Sequence, residues 1–459
     1  MIQVTQARID SIAAPEFIVE ETGEPAYFHE ESRGKFWVLN NFGEWKCLDK
    51  AMFRTWLKGI GFCSVRDPEA GQKISDLDRE LLRCITEATV DYAGPMAGRP
   101  RGIHTWGNTS ALVTKDPFYL EPVRGDWPTL RAFLADFLDT EKVNQWHYLM
   151  GWWQDALQAY YAGDGHAGLA LTLAGSVNSG KSRLKDFIKF SMGGREAYAM
   201  DNLTKRDMFN RELAECAIWT IDDEAADTRP SERAKFGAEI KKATGNEGLR
   251  CRGMHKEGLT LEPIIRLIIC VNSEPDKIVV LPELTDDVED KMLILKSELS
   301  AWPMPMGTWD QKKAFVNTIK AEMPALVHYL LHEYTLPAEF VGERFMVRHF
   351  CHPDIAQELH AVSPENELAD FIDRVLFDGA VYERGWSGSA GDLRHALMDS
   401  TNGLHDGERK RVPAMAWIGK RLSRLAGTYP DRFVRHRAAS GNEWTIMPPE
   451  NKDLGTTEE

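Results

Sequence analysis

No part of this chain restricts its fold more than Leu169-Ala-Leu-Thr-Leu-Ala-Gly175-Ser-Val-Asn-Ser-Gly180-Lys181-Ser182. A short apolar run bounded by Gly reads as a strand buried in a parallel sheet. Gly175 and Gly180 then let the backbone turn so that successive amide N–H groups face inward. A helix opening at Lys181 and running through Leu184, Phe187 and Ile188 adds its positive end. Such a loop cradles a polyphosphate. The segment Gly175, Ser176, Val177, Asn178, Ser179, Gly180, Lys181 and Ser182 satisfies G-x-x-x-x-G-K-[ST], in which the lysine reaches the β and γ phosphates and the hydroxyl ligates Mg2+. ATP and Mg2+ are therefore the expected ligands, with Lys181 as a catalytic residue and Ser182 as a metal ligand.

Two later apolar runs end in the groups that such a loop needs. Residues 216–221 lead into Asp222-Asp223-Glu224, and carboxylates at the C-terminal edge of a parallel strand lie in the sheet's ligand crevice. Asp223 is expected to hold Mg2+ and Glu224 to polarise the attacking water. The 42 residues from Lys181 to Asp223 leave room for one crossover helix and an intervening strand. The run 263–271 ends in Asn272, 49 residues beyond Asp223, whose amide can hydrogen-bond the attacking water and the γ-phosphate. Between these runs the spacing predicts a helix over 231–244, closed by Gly245-Asn246, and a hairpin with arms 249–252 and 259–261. Its tip carries His255 and Lys256, cations that can touch nucleic-acid phosphates.

In order and spacing these motifs resemble the superfamily 3 helicases, and within them the ATPase half of phage and plasmid primase-helicases, including virulence-associated E-like proteins. The matching positions are Gly175, Asn178, Gly180, Lys181 and Ser182; Asp222, Asp223 and Glu224; Thr244, Gly245 and Lys256; and Asn272, with the likeness covering about residues 100–300. The resemblance implies an AAA+-type ATPase, a parallel sheet with helices on both faces. It also implies a homo-oligomeric ring, usually a hexamer, with ATP between subunits, hairpins lining a channel for single-stranded DNA, and an arginine finger from the neighbouring subunit. Many members carry an Arg after the strand-end Asn, whereas this chain has Asp290-Lys291. Arg266, Arg344 and Arg348 are the other candidates, and the finger stays open. No polymerase-sized unit with a carboxylate set precedes the loop, so a separate primase or polymerase is a further expected partner.

The flanks complete an α/β reading with an N-terminal α+β domain over 1–110, a helical collar over 111–165, the ATPase core over 166–300, a helical lid over 301–362, a winged helix over 363–447 and a disordered tail over 448–459. Net charge is −15, which excludes a general coat of basic surface, but residues 408–437 hold nine basic residues against two acids. Three helices followed by a hairpin make that region a winged helix, with Arg421, Arg424 and Arg435 as expected contacts to duplex DNA. Asp76-Leu-Asp78, beside Ser75, reads as a helix start rather than a carboxylate site. Trp146, Trp152 and Trp153 fall at helical spacing and read as core. Seven cysteines without a C-x-x-C pair read as buried thiols. No uninterrupted apolar run reaches membrane-spanning length, so the expectation is a soluble, cytoplasmic protein of a bacterial host or phage-infected cell.

Two functions fit. One is an ATP-dependent DNA helicase or translocase of a phage or mobile element, acting in DNA replication. The other is an ATP-switched replication initiator or loader that binds duplex DNA through its winged helix. A P-loop kinase for a small substrate is disfavoured by the hairpin and the winged-helix pattern.

Overall fold

Apolar and aromatic residues on both faces drive the first strands into a covered meander. β1 (Tyr27–Glu30), β2 (Lys35–Leu39) and β3 (Trp45–Leu48) pair antiparallel and bury Tyr27, Phe36 and Val38 against α1 (Lys50–Gly59). Asp49 caps α1, and the Ser75 hydroxyl caps α2 (Asp76–Glu87) by accepting from the Asp78 N–H at 3.1 Å. Asp76 and Asp78 thus begin a helix, as their position beside Ser75 predicts. β4 (Thr89–Val90) then joins β1 in parallel, giving the order β3-β2-β1-β4. A second small sheet forms from β5 (Tyr92–Gly94), β6 (Gly102–Trp106) and β7 (Thr109–Val113), ordered β5-β7-β6. The hairpin of β6 and β7 was legible in the sequence. The short parallel partners β4 and β5 were not, because strands of two or three residues have no period to read.

The computed structural model describes residues 27–68, 71–138, 143–163, 165–203, 211–222, 230–245, 249–251, 259–282, 284–378, 385–399, 404–438 and 441–449. The chain divides into two units, Met1–His352 and Pro353–Glu459. In the first, α3 (Pro128–Phe137) and α4 (Trp146–Ala162) lead to β8 (Ala170–Gly175) and α5 (Lys181–Ser191). Next come β9 (Glu196–Tyr198), α6 (Met200–Leu203), α7 (Arg211–Glu215), β10 (Ile218–Asp222) and α8 (Pro230–Gly245). The antiparallel pair β11 (Leu249–Cys251) and β12 (Leu259–Leu261) precedes β13 (Arg266–Asn272), α9 (Pro275–Ile278), α10 (Asp286–Glu289), β14 (Met292–Ser297), α11 (Trp309–His328) and β15 (Phe350–Cys351).

Six of these strands make one wholly parallel sheet, ordered β15-β14-β8-β13-β10-β9. All six residues of β8, and the first six of β13, are buried, so both faces of the sheet are covered. Trp152 and Trp153 lie in that core, their indole N–H groups donating to Leu169 O at 2.7 Å and Ser191 Oγ at 2.9 Å. They are core, as their spacing predicts. The sequence predicts a break in the helix before Pro324, yet α11 runs through it and continues as a π-helical turn over Tyr329–Glu333. Phe315, Ile319, Met323 and Leu326 are all buried at helical spacing, and that burial outweighs the roughly 3 kcal/mol an internal proline costs. No helix among the described residues is long and apolar enough to cross a membrane.

The second unit holds α12 (Pro353–Ala361), α13 (Pro364–Ile372), a π-helical turn over Asp373–Phe377, β16 (Trp386–Ser389), α14 (Ala390–Met398), α15 (Asp406–Arg409), α16 (Met415–Thr428), β17 (Phe433–Ala438) and β18 (Gly441–Ile446). Its strands pair antiparallel in the order β16-β18-β17 around Leu368, Phe371, Leu393, Ile418, Leu422 and Trp444. β16 escapes a sequence reading because Ser387, Gly388 and Ser389 carry no apolar alternation. The cysteines are not uniformly buried thiols: Cys47 and Cys63 are exposed, whereas Cys84, Cys216 and Cys270 are buried. Burial pushes the Cys216 thiol up to about 11 and that of Cys84 up to about 12.

Candidate active site

β8 is the point where the order of the sheet reverses, with β13 on one side and β14 on the other. Ligands of open parallel sheets bind at the carboxyl ends of the strands beside such a point. Here that place is filled by the loop 175–180. Asn178 and Gly180 adopt left-handed backbone angles, φ +67° and +88°, which roll the loop back onto the helix start. Gly175 allows a closer approach still: a Cβ there would lie 2.1 Å from Ser297 Oγ and 2.3 Å from the Ser297 carbonyl oxygen. Ser176, Val177, Asn178 and Ser182 face solvent, while Ser179 and Lys181 are buried. Gly180 offers no side-chain cap to α5, so the first amide donors of that helix are left open to an anion. The loop therefore fits a polyphosphate.

Lys181 is only 6 % exposed, and its ammonium is held inside the loop. It donates to Gly175 O at 2.8 Å, Ser176 O at 2.8 Å and Asn272 Oδ1 at 3.1 Å, with Ser179 Oγ at 3.4 Å. The structure thus brings Lys181 and Asn272 together, 91 residues apart in sequence. The register explains it, since Asn272 lies directly across from Gly175. On the other flank Ser297, opposite Gly175 on β14, shares a 2.8 Å hydrogen bond with Ser179. The sequence signal for Ser297 was available: the apolar run 292–295 leads to it as another run leads to Asn272.

The acid-tipped strand is not the loop strand's immediate neighbour. β13 lies between β8 and β10, so Asn272 stands between the loop and Asp222. Asp222 ends β10 level with Cys270, two residues short of Asn272. Its carboxylate accepts from Lys185 Nζ at 2.7 Å. Lys185 is buried one turn after Lys181 on the same face of α5 and lies 3.6 Å from Glu196 Oε2. Burial works against the Lys185 charge, but the hydrogen bond and charge of Asp222, with Glu196 behind it, raise its pKa above the usual lysine value. Asp223 and Glu224 lie outside the described residues, as do His255 and Lys256 at the hairpin tip.

Comparison with known proteins fits this architecture. Residues 173–287, from within β8 to the start of α10, match a family model described as a family of unknown function, DUF5906. Two solved structures of the NrS-1 C-terminal region, an apo A form and an apo structure of its residues 305–718, share 12% identity with this chain at a TM-score of 0.53. The similarity covers 93% of this chain and 97% and 96% of theirs. At that identity the likeness is one of fold. A search of curated proteins returned no match.

The candidates for an arginine finger separate by position. Arg266 begins β13, six residues and about 20 Å from Asn272, and is buried against Asp155 at 2.8 Å. Lys291 is buried as well, paired with Asp290. Neither can reach out to a neighbouring molecule, whereas Arg344 and Arg348 are exposed. In the second unit, Arg424 is held by Glu365 at 2.8 Å, while Arg421 and Arg435 donate to neutral acceptors, Pro364 O at 3.3 Å and Asn442 Oδ1 at 2.9 Å. Arg411 pairs with Glu367, Arg409 with Asp406 and Arg432 with Asp373. Four of the nine basic residues of the run are therefore met by carboxylates of their own unit. Over residues 353–459, thirteen Lys and Arg face eighteen Asp and Glu, a balance of −5.

Proposed function

We propose that this chain is an ATP-dependent DNA helicase or translocase of the superfamily 3 kind, built on an AAA+-type core and acting in the replication of a phage or mobile element. The observation that carries the reading is the 3.1 Å contact between Lys181 Nζ and Asn272 Oδ1. A phosphate-binding lysine that touches a strand-end amide couples that amide to the phosphates bound in the loop, and so to which nucleotide is present. When phosphates draw the ammonium away, the amide is released toward the γ-phosphate and the attacking water. The sheet order, with β13 between the loop strand and the acid-tipped strand, supports an AAA+-type core.

In this reading the amides of residues 175–180 and Lys181 bind the triphosphate, Asn272 senses it and Glu224 polarises water. Mg2+ would be held by Ser182, whose hydroxyl is exposed at the start of α5, and by Asp223; when bound it supplies neutralisation of the triphosphate's charge. Subunits form a hexameric ring around single-stranded DNA, with His255 and Lys256 on the strand. The second unit acts as a winged helix that contacts duplex DNA through Arg421 and Arg435. The alternative, an initiator clamped on duplex DNA, would have to hold it with Arg421 and Arg435 alone against the acidic balance of that unit, whereas a translocase needs that contact only beside its grip on the single strand.

The test is ATP hydrolysis measured with and without single-stranded DNA, beside a strand-displacement assay, for the protein and for Lys181→Ala. Hydrolysis should rise with single-stranded DNA and vanish in the variant. A rate indifferent to DNA sinks the helicase reading.

A further inference from the structure

The P-loop helix presents two buried lysines to the sheet. Lys181 has an assigned task; Lys185, one turn later, does not. Its ammonium stands between two carboxylates of different standing. Asp222 Oδ2 accepts its hydrogen bond at 2.7 Å. Glu196 Oε2, at 3.6 Å, is a buried oxygen with no hydrogen-bond partner among the described residues. The other oxygen of Glu196 is already taken, accepting from Lys189 at 2.6 Å. A buried acceptor left unfilled beside a donor that lies just out of reach is an arrangement that a short movement completes.

We infer that Lys185 is a positioning residue with two seats, Asp222 and Oε2 of Glu196, and that a magnesium-bearing triphosphate at the strand ends drives it from the first to the second. The inference rests on the nucleotide reading of the site above. An ammonium and a dication compete for the carboxylate that ends β10 and repel each other, so the arrival of one weakens the hold of the other. The flexible four-carbon stem of lysine can close 3.6 Å to a hydrogen-bond distance of about 2.8 Å without moving the helix. In the second seat Glu196 is bonded on both oxygens, one to each lysine, and the ammonium remains compensated. Asp222 is then free to face the metal-bearing triphosphate. The exchange also fastens α5 to β9, at the far edge of the sheet.

The test is binding of mant-ATP by the full chain, titrated with MgCl2 and followed by fluorescence, with the melting temperature of each protein recorded beside it. Glu196→Gln weakens the second seat, so the Mg2+ midpoint should rise about tenfold, the equivalent of one hydrogen bond to a charged group. Lys185→Met removes the competitor for Asp222, so its midpoint should fall. Opposite signs from the two variants are not what a merely structural pair would give. Midpoints equal to that of the unmodified protein, or moved in the same direction, overturn the inference. If Lys185→Met does not fold, Glu196→Gln decides alone, and an unmoved midpoint overturns it. Failure of the unmodified protein to bind mant-ATP at any Mg2+ concentration instead overturns the nucleotide reading, and the inference falls with it.

Discussion

At the scale of single residues, the contact between Lys181 and Asn272 separates two substitutions that look alike. Asn272→Ala removes the amide while Lys181 keeps its bonds to the loop, so nucleotide binding should hold while kcat falls by about two to three orders of magnitude, the range for loss of one preorganised donor. Asn272→Asp should act differently. Its carboxylate would grip Lys181 with a charge-assisted bond and repel phosphate, so mant-ATP affinity itself should drop by about tenfold or more. Equilibrium binding and steady-state hydrolysis, measured on both variants, check the pair of outcomes. Lys181, Ser182 and Asn272 were legible in the sequence because each closes or follows an apolar run at a motif spacing. Lys185 was not, since a lysine four residues after another inside a helix reads as solvated surface until the sheet beside it is known. Arg266 misled for the converse reason: an arginine heading a strand looks available, and only the fold shows Asp155 buried against it.

At the scale of elements, the tightest joint is between β8 and β14. Gly175→Ala would drive a methyl into both the hydroxyl and the carbonyl oxygen of Ser297, and should destabilise the first unit by about 1–3 kcal/mol or more while abolishing nucleotide binding. Chemical denaturation measures the first effect. Adding Ser297→Ala should restore little, because the backbone oxygen at 2.3 Å stays. The apolar runs that became β8, β10, β13 and β14 could be recognised one by one, but not their lateral order, which depends on pairings 48, 97 and 122 residues apart. That order is what sets the amide of β13 between the loop and Asp222. The uninterrupted course of α11 through Pro324 was likewise hidden, because the proline is a local signal and the buried face that overrides it is a tertiary one.

At the scale of the whole molecule, saturating MgATP should raise the calorimetric transition of the first unit. A ligand at a hundred times its Kd adds about 2.7 kcal/mol to the unit that binds it. The first unit also carries an acid-sensitive joint. Glu30 is fully buried and accepts from Arg33 and Trp37, and from Arg211 at 2.7 Å, which also reaches the Ala93 carbonyl. Burial opposes its charge, yet Arg33, Arg211 and Trp37 together hold the carboxyl below its ordinary value of 4.5. A depressed carboxylate contributes its stability above 4.5 and loses it as pH falls through the folded value. Glu30→Gln should therefore cost about 3–5 kcal/mol near neutral pH and flatten the acid limb of the stability profile, as thermal melts between pH 3 and pH 7 would register. The same joint decides how the protein can be dissected. Because Arg211 sits on the short helix just ahead of β10, removing the N-terminal sheets would take away Glu30 and orphan a half-buried guanidinium at the amino-terminal side of that strand. The small sheets at the start of the chain thus give β10 part of its footing, and a shortened version of the first unit must keep them.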